Sequence, residues 1–182
     1  MHFWKKKDNL IISGCVILFF AGLMMWQERG AVHADLPGKP SPALTVGFLD
    51  KDYKTHTLAQ FKGKPCIVVL WATWCPACVK KMGALNAFAK KFEEKGGHVI
   101  ALSEDMNGIE KVQNYYAQNK YDNLTIYIDD NGGVMGTLRV SGLPTAIFLN
   151  AKGEEVDRVV GGIDWESSAV HQMIKSSLGV RM

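Results

Sequence analysis

Val68-Val-Leu-Trp-Ala-Thr-Trp-Cys-Pro-Ala-Cys-Val-Lys-Lys-Met82 begins as a buried strand and ends as a helix. At the joint stand Cys75 and Cys78, two residues apart. A Cys-x-x-Cys where a strand feeds a helix puts the first sulfur at the helix N-terminus. Unpaired N–H groups and the helix dipole there favour thiolate over thiol. Such a cysteine is a nucleophile near neutral pH, with a pKa expected between about 3.5 and 7.5. The second cysteine can resolve the mixed disulfide that the first forms. Cys75 is therefore expected exposed at the turn, Cys78 shielded one helical turn in, and Trp74, Pro76 and Ala77 around the rim.

The flanking sequence continues the alternation. Upstream, residues 44–49 predict a strand, 55–57 a short return strand and 58–61 a helical turn. Residues 66–71 are an unbroken apolar run, as a strand covered on both faces requires. The helix after Pro76 lines up Met82, Leu85, Ala89 and Phe92, and stops at Gly96-Gly97. Residues 98–102 and 124–128 predict further strands. Between them lies a helix capped by Asn107, with Glu110 three residues on and Ile109, Val112 and Tyr116 inward. A short helix is expected around 134–138 within a loop. Residues 146–149 and 154–160 form a hairpin, and a last helix capped by Asp164 turns Val170, Ile174 and Leu178 inward. The pattern gives an α/β fold, a mixed sheet with flanking helices.

The 182 residues hold one such domain plus an appendage. Lys5-Lys6-Lys7 precede an uncharged apolar run of about 17 residues, long enough for a short membrane span. The boundaries read as a cytoplasmic tail (1–9), a transmembrane anchor (10–26), a Pro/Gly-rich linker (27–42) and the soluble domain (43–182). Lysines on the cytoplasmic side place the rest of the chain across the membrane, exported from the cytoplasm. The length of the run and the intervening Glu28 and Arg29 favour a retained anchor over a signal peptide cleaved after Val32-His33-Ala34. Cys15 reads as a small apolar residue of the anchor rather than a lipidation site.

Composition excludes other classes. The net charge of +3 and the lack of a basic patch outside residues 5–7 argue against nucleic acid. Four cysteines are too few for a disulfide scaffold. Zinc would need two more ligands at coordinating spacing, and neither the cysteines nor the five scattered histidines supply them. No cofactor beyond a redox-active disulfide is expected. Cys66 opens the central strand and reads as a buried small residue, although period-2 spacing leaves its facing open.

Trp71-Ala-Thr-Trp-Cys-Pro-Ala-Cys78, Phe61-Lys-Gly-Lys-Pro65 and Ser141-Gly-Leu-Pro-Thr145 resemble a thioredoxin-fold protein. More narrowly, they are similar to the TlpA/ResA/CcmG group of membrane-anchored thiol-disulfide oxidoreductases. The resemblance implies a cis Pro144 against the cysteine pair, with Leu143 pairing to an extended substrate peptide. It implies a reductase of disulfides in exported proteins, apocytochromes c among them, re-reduced by a membrane electron donor; a monomer is expected. Two positions depart from the group. Val69 stands where thioredoxin has a buried aspartate, and Lys81 where these reductases have a glutamate. Lys81 favours thiolates if it points inward, but its charged helix face reads as solvated. Glu104 and Asp105 are candidate substitute acids, though acids at a strand end are ordinarily solvated. Lacking an acid at either position, an oxidase or isomerase is the alternative, as is a copper-handling assembly module using Cys75 and Cys78 as soft ligands.

Overall fold

The computed structural model describes residues 39–182. Eight strands are present: β1 (Lys39–Pro40), β2 (Gly47–Asp50), β3 (Thr55–Thr57), β4 (Cys66–Trp71), β5 (His98–Ser103), β6 (Tyr127–Ile128), β7 (Thr145–Leu149) and β8 (Glu154–Val160). Four helices accompany them: α1 (Pro76–Glu94), α2 (Ile109–Asn119), α3 (Gly133–Thr137) and α4 (Ser168–Leu178). A 3-10 turn at Leu58–Phe61 links β3 to β4. The anchor, the cytoplasmic tail and most of the linker expected from the sequence lie outside the described residues. Within those residues no helix is long and apolar enough to cross a membrane.

The strands form one mixed sheet in the order β1-β8-β7-β4-β5-β6-β2-β3. β4 is central, parallel to β5 and antiparallel to β7, and all six of its residues are buried. That is why its sequence runs apolar without alternation. Period-2 geometry still divides its side chains. Ile67, Val69 and Trp71 face one core, with α1, α2 and α4. Cys66, Val68 and Leu70 face the other, with the 3-10 turn and α3. The cysteine pair joins the first core, so Cys66 is on the opposite side of the sheet from it.

α1 buries Met82, Leu85, Ala89 and Phe92 as its spacing predicts, and adds Cys78 and Phe88 to the stripe. Phe88 stacks on Phe92 and meets Trp165 ahead of α4. The helix ends at Glu94, with Lys95 as its C-cap and Gly96 at φ +85°, where a side chain would be strained.

Several boundaries differ from the expected ones for local reasons. β2 starts at Gly47 because residues 42–45 turn, with Leu44 and Val46 amides bonded to the Ser41 and Ala43 carbonyls. Lys39 and Pro40, expected in the linker, pair with Glu155 and Glu154 of β8, and the Ser41 amide donates to the Gly153 carbonyl. β6 is only two residues long, although Leu124 is buried beside it. Asn107 does not cap α2. It sits at φ +51°, donates its amide to Asp130, and leaves the cap to Gly108, which offers no side chain. Nor does Asp164 cap α4. Ser167 does, accepting the Val170 amide, while Asp164 braces the preceding turn.

Candidate active site

The end of β4 delivers Trp71 into the core and the chain then turns through Ala72, Thr73 and Trp74 into α1. Cys75 is the N-cap residue, in extended conformation. Its sulfur accepts the Cys78 amide at 3.2 Å, and its carbonyl accepts the Cys78 and Val79 amides at 3.0 Å each. At the first turn of a helix the amides lack i−4 partners, and the Cys78 amide is shared between the Cys75 carbonyl and the Cys75 sulfur. Pro76 occupies the first helical position, where its missing N–H costs nothing. The Cys75 and Cys78 sulfurs are bonded, with their Cα atoms 5.2 Å apart.

Cys78 is shielded as expected, 1% exposed. Cys75 is less open than expected at 6%, because its sulfur folds back over the first turn onto Cys78. The rim is formed by its neighbours: Trp74 is 62% exposed, and Pro76 and Ala77 are exposed as well.

Across from the pair, the Leu143–Pro144 peptide is cis. The Pro144 carbonyl accepts the Gly161 amide at 2.8 Å, and the Thr145 hydroxyl donates to the Gly142 carbonyl at 2.7 Å, bracing this loop from both sides. Leu143 precedes the β7 ladder, which opens at Thr145. Pro144, Cys78, Val69, Trp71, Met82 and Lys81 line a cavity of about 10 Å³ behind the disulfide. That is at the lower limit for one water. Lys81 is only partly exposed, its stem running along Gly162. It is thus neither the free surface lysine its helix face suggested nor a buried one.

The two acids after β5 overturn their expected solvated state. Asp105 is 3% exposed and Glu104 7%. Burial pushes the Asp105 carboxyl up, but hydrogen bonds from the Thr73 hydroxyl and amide, Ser103 and Lys111 outweigh it and hold the group below its ordinary value. Glu104 has no such donors. Burial, reinforced by Asp129 and Asp105, pushes it up to about 8. One oxygen each of Glu104 and Asp129 is buried without a partner. The sequence contained the signal for Asp105 in Ser103 two residues before it and Gly108 three after, a serine brace and a turn glycine. The pairing with Thr73 across 32 residues carried no signal at all.

Cys66 is buried as expected, and burial, followed by the nearby Glu93, pushes its thiol far up. The three described histidines are each engaged: His56 with Asp50 at 2.7 Å, His98 with Glu93 at 2.7 Å, and His171 with the Trp165 carbonyl at 3.0 Å. Among the described residues no group of three or more His, Cys, Asp or Glu side chains is arranged to hold a metal ion.

Comparisons with known proteins agree with this geometry. The Redoxin family pattern matches residues 36–174. Thiol-disulfide oxidoreductase ResA of Bacillus cereus is 31% identical over 161 residues, covering 86% of this chain and 90% of ResA. Thiol:disulfide interchange protein DsbE of Pseudomonas fluorescens biotype C is 36% identical over 164 residues, covering 87% and 88%. The crystal structure of the exposed lipoprotein thioredoxin Etrx1 from Streptococcus pneumoniae superposes with a TM-score of 0.60 at 26% identity, over 71% of this chain and 97% of that one. The chain belongs to the Redoxin family and is a thioredoxin-like thiol-disulfide oxidoreductase of the ResA and DsbE type, with Cys75 and Cys78 as its cysteine pair.

Proposed function

We propose that the chain is a reductase of disulfides in exported polypeptides, held at the bacterial inner membrane by residues 10–26 with residues 43–182 in the periplasm. The observation that carries the reading is the position of the two sulfurs. Cys75 caps α1 under a solvent-facing rim, and Cys78 lies bonded behind it in the core. In the reduced protein the Cys75 thiolate attacks one sulfur of a substrate disulfide, forming a mixed disulfide and releasing the other substrate sulfur as thiolate. Cys78, deprotonated, then attacks the Cys75 sulfur. The substrate's second sulfur leaves as thiolate, and two electrons have passed from the pair to the substrate. Leu143, beside Pro144, is the backbone on which an extended substrate strand pairs.

What supports the reductase direction is how lightly the Cys75 sulfur is held in the disulfide. One amide hydrogen bond at 3.2 Å reaches it, and moderate stabilisation of the thiolate leaves the dithiol a ready electron donor. Return of the chain to the reduced state requires a membrane electron donor. Apocytochromes c, whose haem-attachment cysteines must be reduced, are the substrate class that fits.

The test is the equilibrium reduction potential of the pair in a glutathione buffer. A value near about −270 mV is expected of a reductase. A value near about −120 mV identifies a strong oxidant and overturns the direction.

A further inference from the structure

Between β4 and α1 the chain must be held in place without strand or helix hydrogen bonds. One backbone bond, from the Cys75 amide to the Ala72 carbonyl at 3.2 Å, spans the turn itself. The rest of the hold comes from Asp105. Its Oδ2 accepts the Thr73 amide at 2.7 Å and the Ser103 hydroxyl at 2.8 Å. Its Oδ1 accepts the Thr73 hydroxyl at 2.6 Å and the Lys111 ammonium at 3.0 Å.

The carboxylate is itself fixed. The Asp105 amide donates to the Ser103 hydroxyl at 3.1 Å, the Gly108 amide donates to the Asp105 carbonyl at 2.9 Å, and the Glu104 amide donates to the Trp71 carbonyl at 2.8 Å. A Cβ on Gly108 would lie 2.6 Å from the Asp105 carbonyl oxygen and its Cβ, so this turn closes only with glycine there.

We infer that Asp105 is a positioning residue for thiol exchange, fixing Thr73 so that the Cys75 sulfur stays over the Cys78 amide. This role rests on the proposed redox function of Cys75. Thr73 stands two residues before Cys75, and the sulfur–amide contact is 3.2 Å. A shift of the loop by about 1 Å breaks that contact, and misplacements of this size cost up to about a hundredfold in rate. Lys111 offsets the negative charge of the carboxylate, so Asp105 can act through hydrogen bonds close to a thiolate without repelling it.

Position and charge make opposite forecasts. Removal of a nearby negative charge lowers a thiol's pKa, whereas loss of the helix-end contact raises it toward the free value of about 8.5. The variants are Asp105→Ala, Asp105→Asn and Thr73→Val in the full-length chain, each also carrying Cys78→Ser. The rate of Cys75 alkylation by iodoacetamide is followed against pH, and each Cys78-intact form is assayed for insulin reduction.

The alkylation midpoint of Asp105→Ala should rise by about one unit, with about fivefold less reactive thiolate near pH 7. Insulin reduction should fall at least in proportion. Asp105→Asn, which can still accept the Thr73 amide and meet its hydroxyl, should restore most of both. Thr73→Val, keeping only the amide bond, should fall between. If Asp105→Ala folds and its midpoint matches the parent, or if Ala and Asn lower the midpoint equally, the positioning role is wrong. Should Asp105→Ala not fold, midpoints of Asp105→Asn and Thr73→Val both equal to the parent's overturn it equally. Failure of the redox reading shows separately, as absence of insulin reduction in the unmutated chain, while the alkylation profile still decides the role of Asp105.

Discussion

Replacement of Glu104 by glutamine should stabilise the protein in a strongly pH-dependent way. The carboxyl is buried at the end of β5, with one oxygen unpartnered and with Asp129 and Asp105 adding negative charge. Its folded pKa is raised from 4.5 to about 8. The folded chain therefore retains a proton that the unfolded chain loses above about pH 4.5. Stability is unaffected by this group below the unfolded pKa, falls as pH rises through the window, and levels off above about 8. Between pH 5 and pH 8 the wild type loses about 1.4 kcal/mol per unit in the limit, and relaxation around the ionised group reduces the total to on the order of 2–4 kcal/mol. Glutamine keeps the shape of the protonated acid, cannot ionise, and retains an N–H donor in place of the acid's proton. The assay is urea unfolding of both oxidised proteins at pH 5 and pH 8, which leaves every other titrating group common to the pair. The variant should gain less than about 1 kcal/mol at pH 5 and several times that at pH 8. An equal gain at both values would show that Glu104 is already ionised in the fold, and the reasoning from burial would be wrong.

Other substitutions probe the rest of the structure. Cys75→Ser should abolish insulin reduction, whereas Cys78→Ser should accumulate a mixed disulfide on Cys75, seen as a mass adduct removed by dithiothreitol. Phe92→Ala in the wholly buried α1 stripe should cost about 3–5 kcal/mol in urea unfolding. Arg158→Ala strands the buried Glu155 carboxylate, which Arg158 meets with two N–H groups, and also frees the Leu138 carbonyl. A loss of about 2–4 kcal/mol is expected by denaturant titration, and Glu155→Gln in the same background should recover part of it. Ser167→Ala should cost about 1 kcal/mol by thermal unfolding and Asp164→Ala less; the reverse order would restore Asp164 as the cap of α4.

What the sequence disclosed was set by the range of the interaction. β4 was legible because six successive apolar residues have few alternatives, and α1 because its inward positions recur at helical spacing. The redox pair was legible because strand, turn proline and both sulfurs fall within a dozen residues. Caps were misassigned where two candidate residues compete within one turn. At Asn107 a left-handed backbone turned the expected cap away, and at Asp164 a serine three residues later was better placed. The Asp105–Thr73 contact was invisible because it joins two strand ends that become neighbours only once β4 and β5 pair. The same event buries Glu104. An acid next to a loop signal reads as solvated until the tertiary structure covers it.

The central strand also acts as a partition. Cys66 starts β4 on the face opposite the active pair, buried in the core that also holds Val68, Leu70 and Leu149. In the proposed reaction a substrate captured on Cys75 meets one internal thiol, Cys78, while Cys66, across the sheet, is out of the contest. Each encounter within the domain ends either in release by Cys78 or in retreat of the incoming strand. On that reading a backbone one layer thick keeps residues 39–182 to a single two-electron exchange at a time.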